Sequence, residues 1–448
     1  MTQPSLAQRM IGVIDRVPHY HSTAEVTKVL GLLVEIAGFV KSLSVGSRVV
    51  LEPAGKPPVT CEVVGFRDEK ALLMAFGTLE GVNLGCRAVI NNDQPVVYPD
   101  DSWLGRVMNA MAEPVDGKGP LHNGQHAIPL RNKPPNPHTR QRVGEKLELG
   151  VRAVNSFTTI CRGQRMGIFA GSGVGKSVLM SMMARYTEAD VSVIGLVGER
   201  GREVQEFLED DLGEEGMKRA VVIVATGDES ALMRRQAAYL TLCVAEHFRK
   251  QGKQVLCMID SVTRFAMAQR EIGLSAGEPP TARGYPPTTF TELARLLERG
   301  GPGGPGEGSI TGIFSVLIEG DDHNEPVADA ARGILDGHIV MERAIADRGR
   351  YPAINVLKSV SRSVPKCLTP EEYAILKKCK DHISTYEDMS ELIRLGAYRR
   401  GTDKKVDESI RLYPLFEAFL TQWKEENTSL QSGFAQLAEI VELPYGGS

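Results

Sequence analysis

The chain has 448 residues, 42% of them hydrophobic and 24% charged, with a formal net charge of −4. It is long enough for roughly two or three packed domains. It has neither the overall basic surface common among nucleic-acid binders nor an apolar run near the roughly 20 residues of a membrane-spanning helix. Seven cysteines, at 61, 86, 161, 243, 257, 367 and 379, form no C-x-x-C and stand at no metal-ligand spacing with histidine. Such a dispersed, odd set suits reduced thiols, and no signal-peptide layout opens the chain. A cytoplasmic protein is expected, with any membrane association borrowed from partners.

Residues 4–17 place Leu6, Met10, Val13, Ile14 and Val17 at helical spacing, and Pro18 ends the pattern. A helix this short is either a cap on its own domain or a docking element for a partner, and the spacing does not choose between them. From Ala24 to Val97 the texture changes. The short apolar runs Val29–Ile36, Arg48–Leu51, Val59–Phe66, Ala71–Phe76 and Arg87–Ile90 alternate with glycines, which predicts a small closed β-barrel. Binding single-stranded nucleic acid on a barrel needs stacking aromatics and a basic groove. Only Phe39, Phe66 and Phe76 are aromatic here and basic residues are sparse, so a structural barrel with no nucleic-acid partner is expected. Residues 99–150 are turn-rich and read as connection.

The apolar run Met166–Ala170 leads into Gly171-Ser-Gly-Val-Gly-Lys-Ser177, and a stretch free of proline and glycine follows from Val178 to Arg185. Strand, glycine-rich turn and helix is the setting of a phosphate loop. Gly171, Gly173 and Gly175 let backbone N–H groups turn inward beneath the positive end of the helix. Gly171, Ser172, Gly173, Val174, Gly175, Lys176, Ser177 and Val178 are therefore the expected ATP-binding residues. Lys176 supplies a point charge for the phosphates and Ser177 a hydroxyl for Mg²⁺. One position departs from the strict pattern, which opens on glycine and here has Ala170. The loop survives this if that position needs no positive φ.

Beyond the loop, apolar runs alternate with helical ones: Val191–Val197, then a helix over Arg202–Asp211; Ala220–Ala225, then Ala231–Lys250; Gln254–Asp260, then Val262–Glu271; later Ser309–Ile318 and Ile339–Met341. The alternation predicts an α/β core with a mainly parallel sheet, whose ligands bind beyond the carboxyl ends of the strands. Asp260 ends a buried strand there. It suits Mg²⁺ coordination better than the alternative of a helix cap. Glu199, in Gly198-Glu-Arg-Gly-Arg-Glu203, reads in isolation as surface charge. Alongside the loop and Asp260 it reads as the carboxylate that orients the attacking water, with Arg200 in reach of the γ-phosphate.

The irregular stretches Gly277–Pro287 and Arg299–Ser309 are long enough to be functional or mobile, and Glu319–Glu325 reads as an interface or lumen loop. Tyr351 offers a ring for adenine, and Arg362 is far along the chain from the phosphate loop, suited to acting across a subunit interface. From Thr369 the pattern is helical. Leu412, Leu415, Phe416, Phe419, Leu420 and Trp423 are read as one apolar face, and Arg394–Lys405 as a basic run that is solvated or used in ring contacts.

Tyr351-Pro-Ala-Ile-Asn-Val-Leu-Lys-Ser-Val-Ser361, Gly198–Glu203, Pro279–Pro287, Ala231–Tyr239 and Glu319–Asp322 together resemble the catalytic subunits of rotary ATP synthases. The wording is closer to the ATPases of type III export systems, and closest to their flagellum-specific branch. The resemblance spans about Ala24 to Leu420. It implies an N-terminal helix (1–23), a β-barrel (24–97), a RecA-like core (98–368) and a C-terminal helical domain (369–448), assembled as a homo-hexamer. ATP would sit at interfaces, held by Lys176, Ser177, Glu199, Arg200 and Asp260 of one subunit, with Arg362 from its neighbour and Tyr351 on the adenine. The implied partners are a regulatory dimer on the N-terminal helix, a central stalk protein, the membrane export gate and chaperone–substrate complexes. The implied location is peripheral to the inner-membrane export apparatus. The alternatives are a virulence-type secretion ATPase, a proton-translocating ATP synthase subunit and a ring-shaped nucleic-acid motor.

Overall fold

The computed structural model describes residues 22–91, 95–318 and 325–446. The N-terminal helix and most of the Glu319–Glu325 loop lie outside them. Two compact units emerge. One runs to Pro95 and takes in Ser230–Leu232 and Glu271–Pro279; the other holds the rest of the chain.

The first unit is a closed barrel of β1 (Ser22–Leu30), β2 (Leu33–Gly38), β3 (Arg48–Glu52), β4 (Val59–Arg67), β5 (Lys70–Ala75) and β6 (Arg87–Asn91), in the order β1-β2-β5-β4-β3-β6. Alternating side chains such as Val34 and Ile36, or Val49 and Leu51, fill its interior. The run Val29–Ile36 is not one strand, as its unbroken apolarity suggests. It turns at Gly31 and Leu32 and forms a hairpin, with Leu30 opposite Leu33. Phe39 and Phe66 are exposed, while Phe76 is buried under the guanidinium of Arg48 at 3.9 Å.

In the second unit, β7 (Val96–Val97) and β9 (Ile128–Pro129) form a two-stranded antiparallel sheet. The central sheet contains β8 (Val107–Asn109), β10 (Arg165–Ala170), β11 (Val191–Glu199), β12 (Ala220–Thr226), β13 (Gln254–Asp260), β14 (Gly301–Pro302), β15 (Ser309–Leu317), β16 (Gly337–Met341) and β17 (Ile354–Ser361). Its order is β17-β16-β10-β15-β13-β11-β12-β8, with β14 on β15. All neighbours are parallel except β16 with β17 and β14 with β15. Registers of Ala170 with Leu317 and Met341, and of Leu196 with Asp260, bring the carboxyl ends of five strands to one edge.

Helices connect the strands: α1 (Arg152–Phe157), α2 (Lys176–Tyr186), α3 (Gly201–Glu206), α4 (Gly213–Lys218), α5 (Ala231–Lys250), α6 (Val262–Ala276), α7 (Pro287–Glu298), α8 (Pro326–Ile334) and α9 (Arg343–Ala346). The helix expected over Arg202–Asp211 is instead α3 followed by a wider-wound turn, Phe207–Leu212, that buries Phe207 and Leu212. The stretch Arg299–Ser309 is less open than its glycines suggest. Arg299 is fully buried, with Nε 2.8 Å from Oε1 of the equally buried Glu246.

The C-terminal helices are α10 (Pro370–Arg394), α11 (Lys404–Leu420) and α12 (Leu430–Ile440). Thr369 and Glu372 form a reciprocal capping box at the start of α10. Leu412, Phe416, Phe419 and Leu420 are buried and share one core with Phe157 and Phe434. Leu415 and Trp423 are not part of that face. Leu415 is half exposed, and Trp423 lies past the end of α11 with 73% of its surface open. No helix among the described residues is long and apolar enough to cross a membrane.

Candidate active site

The phosphate loop spans Gly171–Gly175, between the end of β10 and the first residue of α2. Ala170 is the last residue of a strand paired on both sides and has no positive φ. A Cβ therefore fits where the usual motif has glycine. The left-handed backbone falls on Gly173 and Gly175, at φ +76° and +87°. Gly175 also lies under Tyr351: a Cβ there would stand 3.4 Å from Cδ1 of that ring. Tyr351, 45% exposed, thus flanks the loop at the start of α2.

Three charged groups meet beneath the loop. Lys176 opens α2, Glu199 ends β11 and Asp260 ends β13. The Lys176 ammonium donates to Oδ1 of Asp260 and lies 3.5 Å from Oε1 of Glu199. Ser315, a hydroxyl in the apolar strand β15, donates to the same Asp260 oxygen at 2.6 Å. Glu199 owes its position to Gly198, whose φ of +76° makes a bulge in β11 that pairs Glu199 with Thr226. No larger residue fits there, since a Cβ on Gly198 would come within 2.9 Å of Cβ of Arg264.

The electrostatics follow from burial and proximity. Burial works against the Lys176 ammonium, but Asp260 and Glu199 outweigh it and hold its pKa above the ordinary lysine range. Burial pushes the Glu199 carboxyl up to about 7; Lys176 opposes this, and the negative charge of Asp260 adds to it. A carboxyl of that pKa can gain and lose a proton near neutrality.

Beside this cluster is a cavity of about 830 Å³, lined by the loop, Ser177, Val178, Glu199, Arg200, Arg264, Arg270, Arg283, Tyr285 and Arg343 among others. It has the size and the carboxyl-edge position of a small-ligand site in a parallel sheet.

Residues 150–361 match the ATP synthase alpha/beta family, nucleotide-binding domain, and residues 368–439 match the T3SS EscN ATPase C-terminal domain. The chain is 58% identical to the flagellum-specific ATP synthase of Caulobacter vibrioides, over 97% of this chain and 99% of the relative. It is 45% identical to that of Bacillus subtilis, over 97% and 98%. Among solved structures, the assembled ATPase EscN of the enteropathogenic E. coli type III secretion system superposes with a TM-score of 0.88 at 36% identity, over 93% of this chain and all of that one. EscN in complex with its central stalk EscO matches with a TM-score of 0.85.

This chain belongs to the ATP synthase alpha/beta family, in its flagellum-specific branch. It is an ATPase, with a β-barrel, a mainly parallel core sheet and C-terminal helices.

Not every expected residue of the ATPase joins the cluster. Arg200 caps α3 at the cavity mouth, but its side chain is 86% exposed and lies 3.8 Å from Glu203. Val174 is buried in the core beneath the loop. Arg362 follows β17, which runs antiparallel to its neighbour: Ile354 is opposite Met341 at the carboxyl edge and Ser361 is opposite Gly337 at the other. At about 3.3 Å per residue, β17 carries Arg362 roughly 25 Å from the loop of its own chain. There it is exposed, and one guanidinium nitrogen is 3.4 Å from the Arg332 carbonyl.

Other site residues were not foreseen. Arg343 donates to the Ser172 carbonyl at 2.7 Å. It stands two residues past Met341, as Ser172 stands two past the registered Ala170. Arg264, Arg270 and Arg283 line the cavity from α6 and from the turn before α7. Only Ser315 carried a signal in the sequence, a lone hydroxyl inside the apolar run Ile313–Leu317.

Proposed function

We propose that the chain hydrolyses ATP at the interfaces of a homo-hexamer, and that this serves flagellar type III protein export by unloading and energising flagellar subunits. The observation that carries the reading is the split between two groups of side chains. Lys176, Glu199 and Asp260 converge at one edge of the sheet, while Arg362 stands at the other. In this reading Glu199 orients the water and accepts its proton, and Lys176 offsets charge on the β- and γ-phosphates. Arg200 approaches the γ-phosphate once drawn in from solvent, and Arg362 of a neighbouring copy completes the site. Tyr351 supplies the face for adenine.

The Ser177 hydroxyl, exposed at the cavity, and the Asp260 carboxylate offer the hard oxygen donors that Mg²⁺ takes. Mg²⁺ held by these two residues would neutralise charge on the phosphates. The remaining ligands would come from phosphate and water.

We extend the assembled state and the central stalk of the EscN structures to this chain by likeness. We also keep the division at 1–23, 24–97, 98–368 and 369–448. A regulatory dimer is assigned to the N-terminal helix, chaperone–substrate complexes to the C-terminal domain, and the export gate to the assembly as a whole. The chain would then work in the cytoplasm, peripherally at the inner membrane. A role in virulence-type secretion is the second reading, favoured by the EscN superposition but set against flagellar relatives of higher identity. Deleting the gene and testing motility decides. The wild-type chain should restore swimming and the Glu199→Gln chain should not. Full motility of the deletion strain would overturn the flagellar role.

A further inference from the structure

A basic groove lies on the side of the molecule that carries Arg362. Leu357 of β17 and Lys377, Lys378 and Lys380 of α10 line it. Its one acid, Asp381, is already paired with Lys405 at 2.7 Å. Lys378 donates to the Val441 carbonyl, which satisfies a hydrogen bond but not a charge. Among the described residues, Lys377 and Lys380 form no ion pair. Lys380 is also drawn out of water, and burial pulls its pKa below the ordinary lysine range. A partly desolvated ammonium without a counter-ion is held at a cost in free energy that an incoming carboxylate removes.

The chain carries a matching surface of its own. From Glu203, which lines the nucleotide cavity, α3, the Phe207–Leu212 turn and α4 run as an acidic ridge with Glu206, Glu209, Asp210, Glu214 and Glu215 exposed. Arg202 and Lys218 take up Glu206 and Glu215. Glu209 and Asp210 have no cationic partner among the described residues, while Glu214 shares the charge of Lys218 with Glu215. Ridge and groove do not serve each other within one copy. The ridge follows β11 and the groove lies on β17, five strand positions away, or about 24 Å.

We propose that the basic groove of α10 and β17 takes the acidic α3–α4 ridge of a second copy of this chain. The inference rests on the ring reading. An Arg362 that reaches a neighbour's cavity brings β17 and α10 against the side of that neighbour where Glu203 begins the ridge. Opposite charges on the two faces then favour the correct register and disfavour like-to-like contact.

The test is a charge swap in the full-length chain, with assembly followed by sedimentation velocity in the presence of a non-hydrolysable ATP analogue. Lys377→Glu with Lys380→Glu, and separately Glu209→Lys with Asp210→Lys, should each weaken association by about tenfold or more. Combining the two pairs should restore it. Nucleotide affinity at low protein concentration should stay unchanged in all of them, which shows that the fold is intact. If the groove reversal fails to fold, Lys377→Gln with Lys380→Gln gives the same comparison with a smaller loss. Unchanged assembly in the groove variants, or a combined variant no better than the single ones, overturns this contact and leaves the ring reading standing. A wild-type chain that stays monomeric with the analogue overturns both.

Discussion

The ammonium of Lys176 donates to Oδ1 of Asp260, although the two lie 84 residues apart in the chain. The cation expected to meet the phosphates rests on the carboxylate expected to meet the metal. Nucleotide entry must therefore exchange one set of partners for another. Asp260→Asn leaves Lys176 buried with only Glu199 at 3.5 Å. Losing one member of a buried ion pair should lower stability by about 3–5 kcal/mol. Denaturant unfolding without nucleotide measures this, and an unchanged midpoint would show that Asp260 is not what keeps the ammonium buried.

Glu199→Gln removes the proton acceptor but keeps the shape of the side chain. ATP binding should persist while turnover falls by about 10²–10⁴-fold. Equilibrium binding of a fluorescent ATP analogue and steady-state phosphate release read the two separately. Turnover near the wild-type value would remove Glu199 from the chemistry.

The elevated pKa of Glu199, about 7, fixes the sign of a pH effect. Below that value the carboxyl is protonated and cannot accept a proton from water; above it the group is ionised and competent. For a single group at that pKa, kcat/KM should fall about tenfold between pH ~8 and pH ~6. In Glu199→Gln the residual activity should be flat over the same window. A flat wild-type profile would assign the base role to another group.

If Arg362 acts on a neighbour's phosphates, its loss is felt in trans. Assemblies that mix Arg362→Ala with Glu199→Gln subunits, each inactive alone, should regain activity, because the intact Glu199 site of an Arg362→Ala chain can take its arginine from a Glu199→Gln neighbour. Mixed assemblies no more active than either variant alone would confine Arg362 to its own chain.

Ala170 occupies a strand end with no positive φ. Restoring the glycine of the strict motif, Ala170→Gly, should leave kcat unaltered and cost about 0.5–1 kcal/mol of stability through backbone entropy. A gain in turnover would mean that the loop works better with the freedom that Ala170 withholds.

Local pattern was read well where one environment persists along a segment. The run Gln254–Asp260 is β13 and Ala231–Lys250 is α5, residue for residue. Both are buried along most of their length, so periodicity and composition report burial with little interference. Reading failed where an apolar run conceals a turn, as at Gly31 and Leu32, or continues past the end of its element, as at Trp423. Within the stretch Arg299–Ser309, expected to be functional or mobile, the burial of Arg299 left no local mark, since its partner Glu246 lies 53 residues away in the chain.

The sequence by itself determined the phosphate loop, the parallel core, the barrel and the positions of Glu199 and Asp260 at the ends of apolar strands, because each is written in a few consecutive residues. Only the tertiary structure decided which charges meet. Strand order set Lys176 between Asp260 and Glu199, parallel register put Arg343 on the Ser172 carbonyl, and the antiparallel course of β17 carried Arg362 away from its own loop. Those outcomes depend on residues far apart in the chain, and short-range pattern holds no record of which distant strands become neighbours.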